Sequence, residues 1–182
     1  TNGITGIPLA IPATNTSGTY GLNRASYTWW RNYSSTAVGA YTTNGPDAMD
    51  LLSLNVQLAG GKKPDFYVTT KTVFQKMKKD ARSTVNFDPT YSGKYREMLN
   101  DQGIESISFE GSPVIWDPYC DSGKIYGIRR DALYLGTFEE FDVAGPYPLE
   151  GSGVQGKVVF VRWGGQLLCE EQRALGQLSG VS

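Results

Sequence analysis

Pro113-Val-Ile-Trp-Asp-Pro-Tyr-Cys120, Lys124-Ile-Tyr-Gly-Ile128, Ala132-Leu-Tyr-Leu135 and Lys157-Val-Val-Phe-Val-Arg-Trp-Gly-Gly-Gln-Leu-Leu-Cys169 are the segments that decide the fold. Each is a short apolar run rich in β-branched and aromatic residues. Each is bounded by Gly, Pro, Asp or Ser, which is the pattern of strands joined by turns. Asp117-Pro118 ends the first run, and Asp121-Ser-Gly-Lys124 turns the chain toward the second. Gly145-Pro-Tyr-Pro148 and Gly151-Ser-Gly153 mark a long excursion. Val158 to Trp163 then reads as a buried strand broken by Gly164-Gly165, with Gln166 to Cys169 as its continuation. Upstream, Ile104 to Phe109 alternates in places, as a strand with one solvated face does.

Further toward the N-terminus the period changes. Asn44 or Gly45 can cap a helix, Pro46 suits its first turn and Asp47 complements the dipole. Ala48, Leu51, Leu52, Asn55, Val56, Leu58 and Ala59 recur at helical spacing, and Gly60-Gly61 is a stop signal. Pro64 to Thr70 reads as a short strand. Thr70 or Thr72 can cap a second helix in which Val73, Phe74, Met77 and Ala81 share a face, with Lys76, Lys78, Lys79 and Arg82 outside. A loop over Ser83–Gly93 and a short helical turn at Tyr95, Met98 and Leu99 follow. Residues 1–45 are rich in Thr, Asn, Ser and Gly, with apolar clusters at Ile7–Ile11 and Tyr27–Tyr33. They predict extended strand and loop that must lie against the rest of the protein or a neighbouring chain.

The 182 residues fit one compact domain, or one domain with an extension. Hydrophobic residues make up 40% and charged residues 19%, a balance that suits a folded chain. A net charge of -1 provides no global basic field for duplex nucleic acid. No window approaches the roughly 18 apolar residues of a membrane span. The first residues have no basic region ahead of an apolar run, so they are not read as a signal peptide. The chain opens on Thr and not Met, so it is expected to be a processed product or a piece of something longer.

Histidine is absent. That closes Ser-His-Asp and Cys-His catalysis, His-bearing zinc sites and any histidine general base. Cys120 and Cys169 read as buried reduced thiols, with a disulfide between them left open. Asp117, Asp121 and Gly123 lack the alternating oxygen ligands and terminal Glu of a calcium loop. Glu139, Glu140 and Asp142 read as a solvated face, as do the lysines of the second helix. No catalytic residue, metal site or cofactor is expected.

Three local stretches stand out within this order of helix, strand, helix, loop, strand cluster and last long strand. They are Trp29-Trp-Arg-Asn32, Pro113 to Cys120, and Val159-Phe-Val-Arg-Trp-Gly164 leading into Arg173-Ala-Leu-Gly176. Together they resemble the C-terminal part of tailed-bacteriophage major capsid proteins of the HK97-like fold. The resemblance implies an α+β architecture with an axial-domain-like region over residues 44–150. It implies peripheral-domain-like segments over 1–43 and 151–182. The N-terminal arm, extended loop and long spine helix of that family have no counterpart here. The resemblance therefore implies the C-terminal portion of a longer subunit.

The implied function is a structural coat subunit, not an enzyme. It would self-assemble through pentamer and hexamer contacts into an icosahedral shell around DNA. The implied location is the virion, after assembly in the host bacterial cytoplasm. Implied partners are further copies, a scaffolding protein, and packaged DNA through weak non-specific contact, with no membrane. Trp29, Trp30 and Arg31 are candidate contact residues because Trp and Arg are favoured at hot spots; one Trp can equally be core. Trp116 and Tyr119 are candidates on an interface turn, the alternative being a local turn with Trp116 inside. Arg173, in the polar tail, completes the set. The rival reading is a carbohydrate-binding or adhesion module with exposed Tyr and Trp. The helical segments between Pro46 and Arg82 count against a pure β-sandwich. A hydrolase using an Asp/Glu pair is a weaker third.

Overall fold

The computed structural model describes residues 6–14, 16, 18–84, 106–148 and 156–182. The turn expected at Tyr95–Leu99, most of the loop over Ser83–Gly93, and Gly151–Gly153 lie outside the described residues, as do the side chains of Glu139, Glu140 and Asp142.

A short helix α1 (Ile7–Ala10) and two-residue strands β1 (Gly18–Thr19) and β2 (Leu22–Asn23) precede β3 (Tyr33–Ser35). Helix α2 (Tyr41–Gly60), β4 (Phe66–Thr69) and α3 (Lys71–Thr84) follow. Next come β5 (Ile107–Phe109), β6 (Ser112–Trp116) and β7 (Ile125–Ile128). Two long strands, β8 (Leu133–Pro148) and β9 (Lys157–Cys169), lead to β10 (Gly176–Leu178). A mixed six-stranded sheet has the order β3-β10-β7-β4-β6-β5. Strand β4 runs parallel to β6, and β10 runs parallel to β3; the other pairs are antiparallel.

Alternation along the central strands splits the core in two. Tyr67 of β4 and Ile125 of β7 point to one face, where Met49, Leu52 and Val56 of α2 and Val73, Phe74 and Met77 of α3 cover them. Val68, Tyr126 and Ile128 point to the other, where they meet Ala10, Ile11, Ala174 and Leu175. At Gly127 and Gly176 the helix comes so close that a Cβ would stand 2.5 and 3.0 Å from Leu52. Thr70 caps α3 as expected, its Oγ1 accepting the N–H of Val73 at 3.5 Å. Gly61, at φ 77°, ends α2 by donating its N–H to the Gln57 carbonyl.

The start of α2 differs from the expected cap at Asn44 or Gly45. The helix begins at Tyr41, and Pro46 lies inside it. The Ala40 carbonyl accepts the N–H groups of Thr43 and Asn44 at 3.1 and 3.0 Å. Burial of Tyr41 draws this extra turn into the core, and the same burial pushes its phenol up to about 12. Its ring lies on Gly45, where a Cβ would be 2.2 Å from it. Asn44 instead sends its side-chain amide to the Val38 carbonyl at 2.9 Å.

The Gly/Pro excursion and the broken strand are also revised. Strands β8 and β9 pair antiparallel from Leu133↔Cys169 to Pro148↔Lys157, straight through Gly145-Pro146 and Gly164-Gly165. Register shifts between Thr137/Glu139, Glu139/Asp142 and Ala144/Tyr147 absorb the irregular residues, which is how a proline without an N–H fits a ladder. The boundaries expected at 43/44 and 150/151 fall inside α2 (Tyr41–Gly60) and between β8 and β9. Strand β3, from the first segment, and β10, from the last, are neighbours in the central sheet, and β10 also pairs with β7.

Candidate subunit interface

The N-terminal segment is built around Arg24, a fully buried cation. Its guanidinium donates to the Trp30 carbonyl at 3.3 Å, to the Thr14 carbonyl at 3.0 Å and to Asn32 Oδ1. Asn32 returns its amide to the carbonyls of Pro12 and Tyr33 at 3.3 and 2.9 Å. Arg31 closes the same turn by donating to the carbonyls of Arg24 and Ala25 at 2.7 and 2.9 Å. The segment is thus folded on charge-assisted bonds to backbone carbonyls, which isolated loops lack.

This knot separates the two tryptophans. Trp30 is buried, whereas Trp29 is 53% exposed and meets Trp30 edge to face at 5.7 Å. Tyr27, also exposed, meets Trp29 edge to face at 6.1 Å. Arg173 reaches the Trp29 carbonyl at 3.4 Å. The structure therefore brings together Trp29, Trp30, Arg31 and Arg173, with only Trp29 presenting a broad aromatic surface.

Trp116 and Tyr119 sit elsewhere, at the C-terminal end of β6. Lys71 Nζ lies 5.8 Å from the centre of the Trp116 ring, a cation–π distance. Tyr119 is 93% exposed, on a turn held by its own N–H donating to Asp117 Oδ1 at 2.7 Å. The Asp121 carboxylate nearby accepts from Lys124 at 2.6 Å and from the Tyr126 hydroxyl at 3.3 Å. The Lys124 bond, opposed by partial burial, holds that carboxyl below its usual range.

Two surfaces escaped the sequence reading. The first is the far part of the β8–β9 hairpin. Its base is anchored, because Leu133, Leu167 and Cys169 pack on the second core cluster. Arg129 strengthens the base by donating to Asp131, to Glu171 and to the Gly60 carbonyl at the end of α2. Beyond that base, Val143, Tyr147, Val159, Phe160, Val161 and Trp163 are exposed. Val159, Phe160 and Val161 are consecutive, so both faces of the ribbon are apolar and open. The expected buried strand is therefore exposed along Val159–Trp163. The second surface is the outer side of α2, where Leu51, Leu54 and Leu58 are exposed behind the buried Met49, Leu52 and Val56. Leu51 and Leu58 belong to the set whose spacing predicts the helix, yet the structure leaves both exposed. The available signal was a helix apolar on two sides, too hydrophobic for a single core contact.

Cys120 and Cys169 are free and half-buried. Burial, with nearby carboxylates adding, pushes both thiols up to about 11. No helix among the described residues is long and apolar enough to cross a membrane.

Among solved structures, the chain is similar to the cyanophage A-1(L) capsid asymmetric unit, with a TM-score of 0.70 at 16% identity over 98% of this chain and 59% of that one. It is more distantly similar to the holo-SrpI encapsulin complex from Synechococcus elongatus PCC 7942, with a TM-score of 0.47 at 14% identity over 83% of this chain and 52% of that one. A virus-like particle from Pyrococcus furiosus gives a TM-score of 0.44 at 11% identity over 79% of this chain and 56% of that one. Only the first is close enough to carry an argument. No family model and no curated protein sequence matches. The chain therefore has the α+β fold of HK97-like capsid proteins and spans 59% of the length of the cyanophage chain.

Proposed function

We propose that this chain is a shell-building subunit: a coat protein of tailed-phage type that self-assembles through rings of five or six into a closed icosahedral shell around DNA. The observation that carries this reading is the far part of the β8–β9 hairpin. A two-stranded ribbon is marginal alone in water, and one with apolar side chains open on both faces exposes a surface that soluble monomers avoid. Such a ribbon is stable when other chains cover it. The capsid fold supports the same reading, and rings follow if the contacts are heterologous and the rotation closes. Near-neutral charge suits dense self-packing and leaves DNA contact weak and non-specific. Its work is then carried by surfaces and not by a catalytic centre, in keeping with a sequence that has no histidine.

The glycan-binding alternative finds little support at the exposed aromatics. Tyr27 and Trp29 stand at 65° to one another, so these two rings do not form a flat stacking platform. The test is negative-stain electron microscopy and sedimentation of the full-length gene product expressed in bacteria, with nuclease treatment of what sediments. Closed shells or five- and six-membered rings are expected, with DNA protected inside shells. A uniform population of monomers or dimers overturns the proposal.

A further inference from the structure

We infer that two different surfaces of this protomer form a head-to-tail contact between copies, the outer face of α2 on one copy seating on the Tyr27/Trp29 surface of the next. The inference rests on the shell-building reading and specifies surfaces through which copies meet.

The first surface is a row. Asp47, Leu51, Leu54 and Leu58 follow at intervals of four, three and four, so they line one side of α2. The opposite side of the helix carries Met49, Leu52 and Val56 into the core, so the row points away from the sheet. The three leucines are 52%, 54% and 86% exposed. Asp47 and Asp50 give the N-terminal end of the row a negative charge. The Asp50 carboxyl sits above its usual range, through partial burial and the neighbouring Glu110 and Asp47, so a cation brought to it would relieve that repulsion.

The second surface lies across the sheet, where α1 and the N-terminal segment cover the other core cluster. Leu9, Tyr27 and Trp29 are exposed there. Arg31 and Arg173 frame Trp29 and hydrogen-bond to backbone carbonyls only, so no carboxylate among the described residues neutralises them. One side is thus apolar and acidic, and the other aromatic and basic. Trp, Tyr and Arg are also the residues that dominate interface energies.

Charge selects the occupant. In an antiparallel pairing of two α2 rows, Asp47 would meet the cations after the helix end. Lys62 and Lys63 are already paired there with Asp131 at 3.5 Å and Glu110 at 2.8 Å. The unneutralised arginines belong to a different surface, the one around Trp29. A contact between two unlike surfaces is heterologous, the type that propagates into rings.

The test uses full-length Leu54→Glu and Trp29→Glu forms. Both sites are exposed, and far-UV circular dichroism checks the fold. Each variant alone is expected to lose the rings and shells of the wild type by native mass spectrometry and sedimentation at the wild-type assembly concentration, with association weakened at least about 30-fold. An equimolar mixture is expected to give one-to-one pairs that neither variant forms alone, and no rings, because only one intact copy of this contact remains in each pair. Leu58→Glu, at the most exposed position of the row, is expected to match Leu54→Glu, which separates loss of contact from misfolding. Wild-type assembly by the two leucine variants overturns this contact and leaves the shell reading standing. Dimers of Trp29→Glu that disappear in the Trp29→Glu/Leu54→Glu double variant would mean that α2 pairs with itself, which overturns the head-to-tail arrangement, as does a mixture that shows no pairing beyond that of the separate variants. A wild-type protein that never assembles overturns the shell reading, and this contact with it.

Discussion

Leu52 of α2 lies directly on Gly127 of β7: a Cβ at Gly127 would stand 2.5 Å from Leu52 Cδ2 and 3.3 Å from Pro64 Cγ. The helix is seated in the sheet at the one residue type that leaves room for it. Gly127→Ala should therefore overpack the core and cost about 1–3 kcal/mol. Urea denaturation reads this as a lower midpoint at unchanged slope. An unchanged midpoint would mean that α2 shifts without penalty.

Arg24 predicts a second loss. Replacing it with Ala strands the Trp30 carbonyl and the Asn32 amide oxygen in a buried site and removes the donor to the partly buried Thr14 carbonyl. The expected cost is about 2–3 kcal/mol. Tryptophan fluorescence should report the N-terminal segment loosening first, since Trp29 and Trp30 flank the knot. A loss below about 0.5 kcal/mol would show that water replaces the guanidinium.

Acid should weaken the fold through three carboxylates. Bonds from Lys63 and then Ser53 hold Glu110 below its usual range, and Lys124 does the same for Asp121. Partial burial opposes ionisation of Asp131, yet the bond and charge of Arg129 outweigh it and hold that carboxyl low as well. A carboxyl depressed in the folded state adds stability above its unfolded pKa. That stability is lost as the pH falls through the depressed folded value. Stability should thus be flat at neutral pH and fall below about pH 4. These groups are partly exposed, so each contributes no more than about 1 kcal/mol. Glu110→Gln should shallow the acid limb of a thermal-melt series; an unaltered limb would remove Glu110 from the account.

Both cysteines should be slow to react. With the thiols moved from 9.0 to about 11, the thiolate fraction near neutrality falls roughly a hundredfold. Titration with a chromogenic disulfide at pH 8 should label neither quickly in the native state and both on unfolding. Rapid native labelling would mean that Cys120 or Cys169 is open to solvent.

Much of the scaffold was readable because its causes are local. The strand around Tyr67, the Thr70 cap, the Gly61 stop and the turn at Asp121–Lys124 each follow from the residues present and their immediate spacing. The α+β order carried the resemblance to a capsid fold for the same reason. The start of α2 was missed because Tyr41 is drawn into helix by core contacts that a capping pattern does not encode. The pairing of β3 with β10 joins Tyr33 to Gly176, a contact that only chain closure can make. The candidate contact surfaces depended on tertiary structure most of all. Trp29 and Trp30 are identical neighbours in sequence, and the Arg24 knot alone turns one in and the other out. Val159-Phe-Val161 and Leu51, Leu54 and Leu58 are apolar whether they face their own core or another chain. Apolar character follows from residue type, whereas burial depends on which surfaces the folded chain has left to meet.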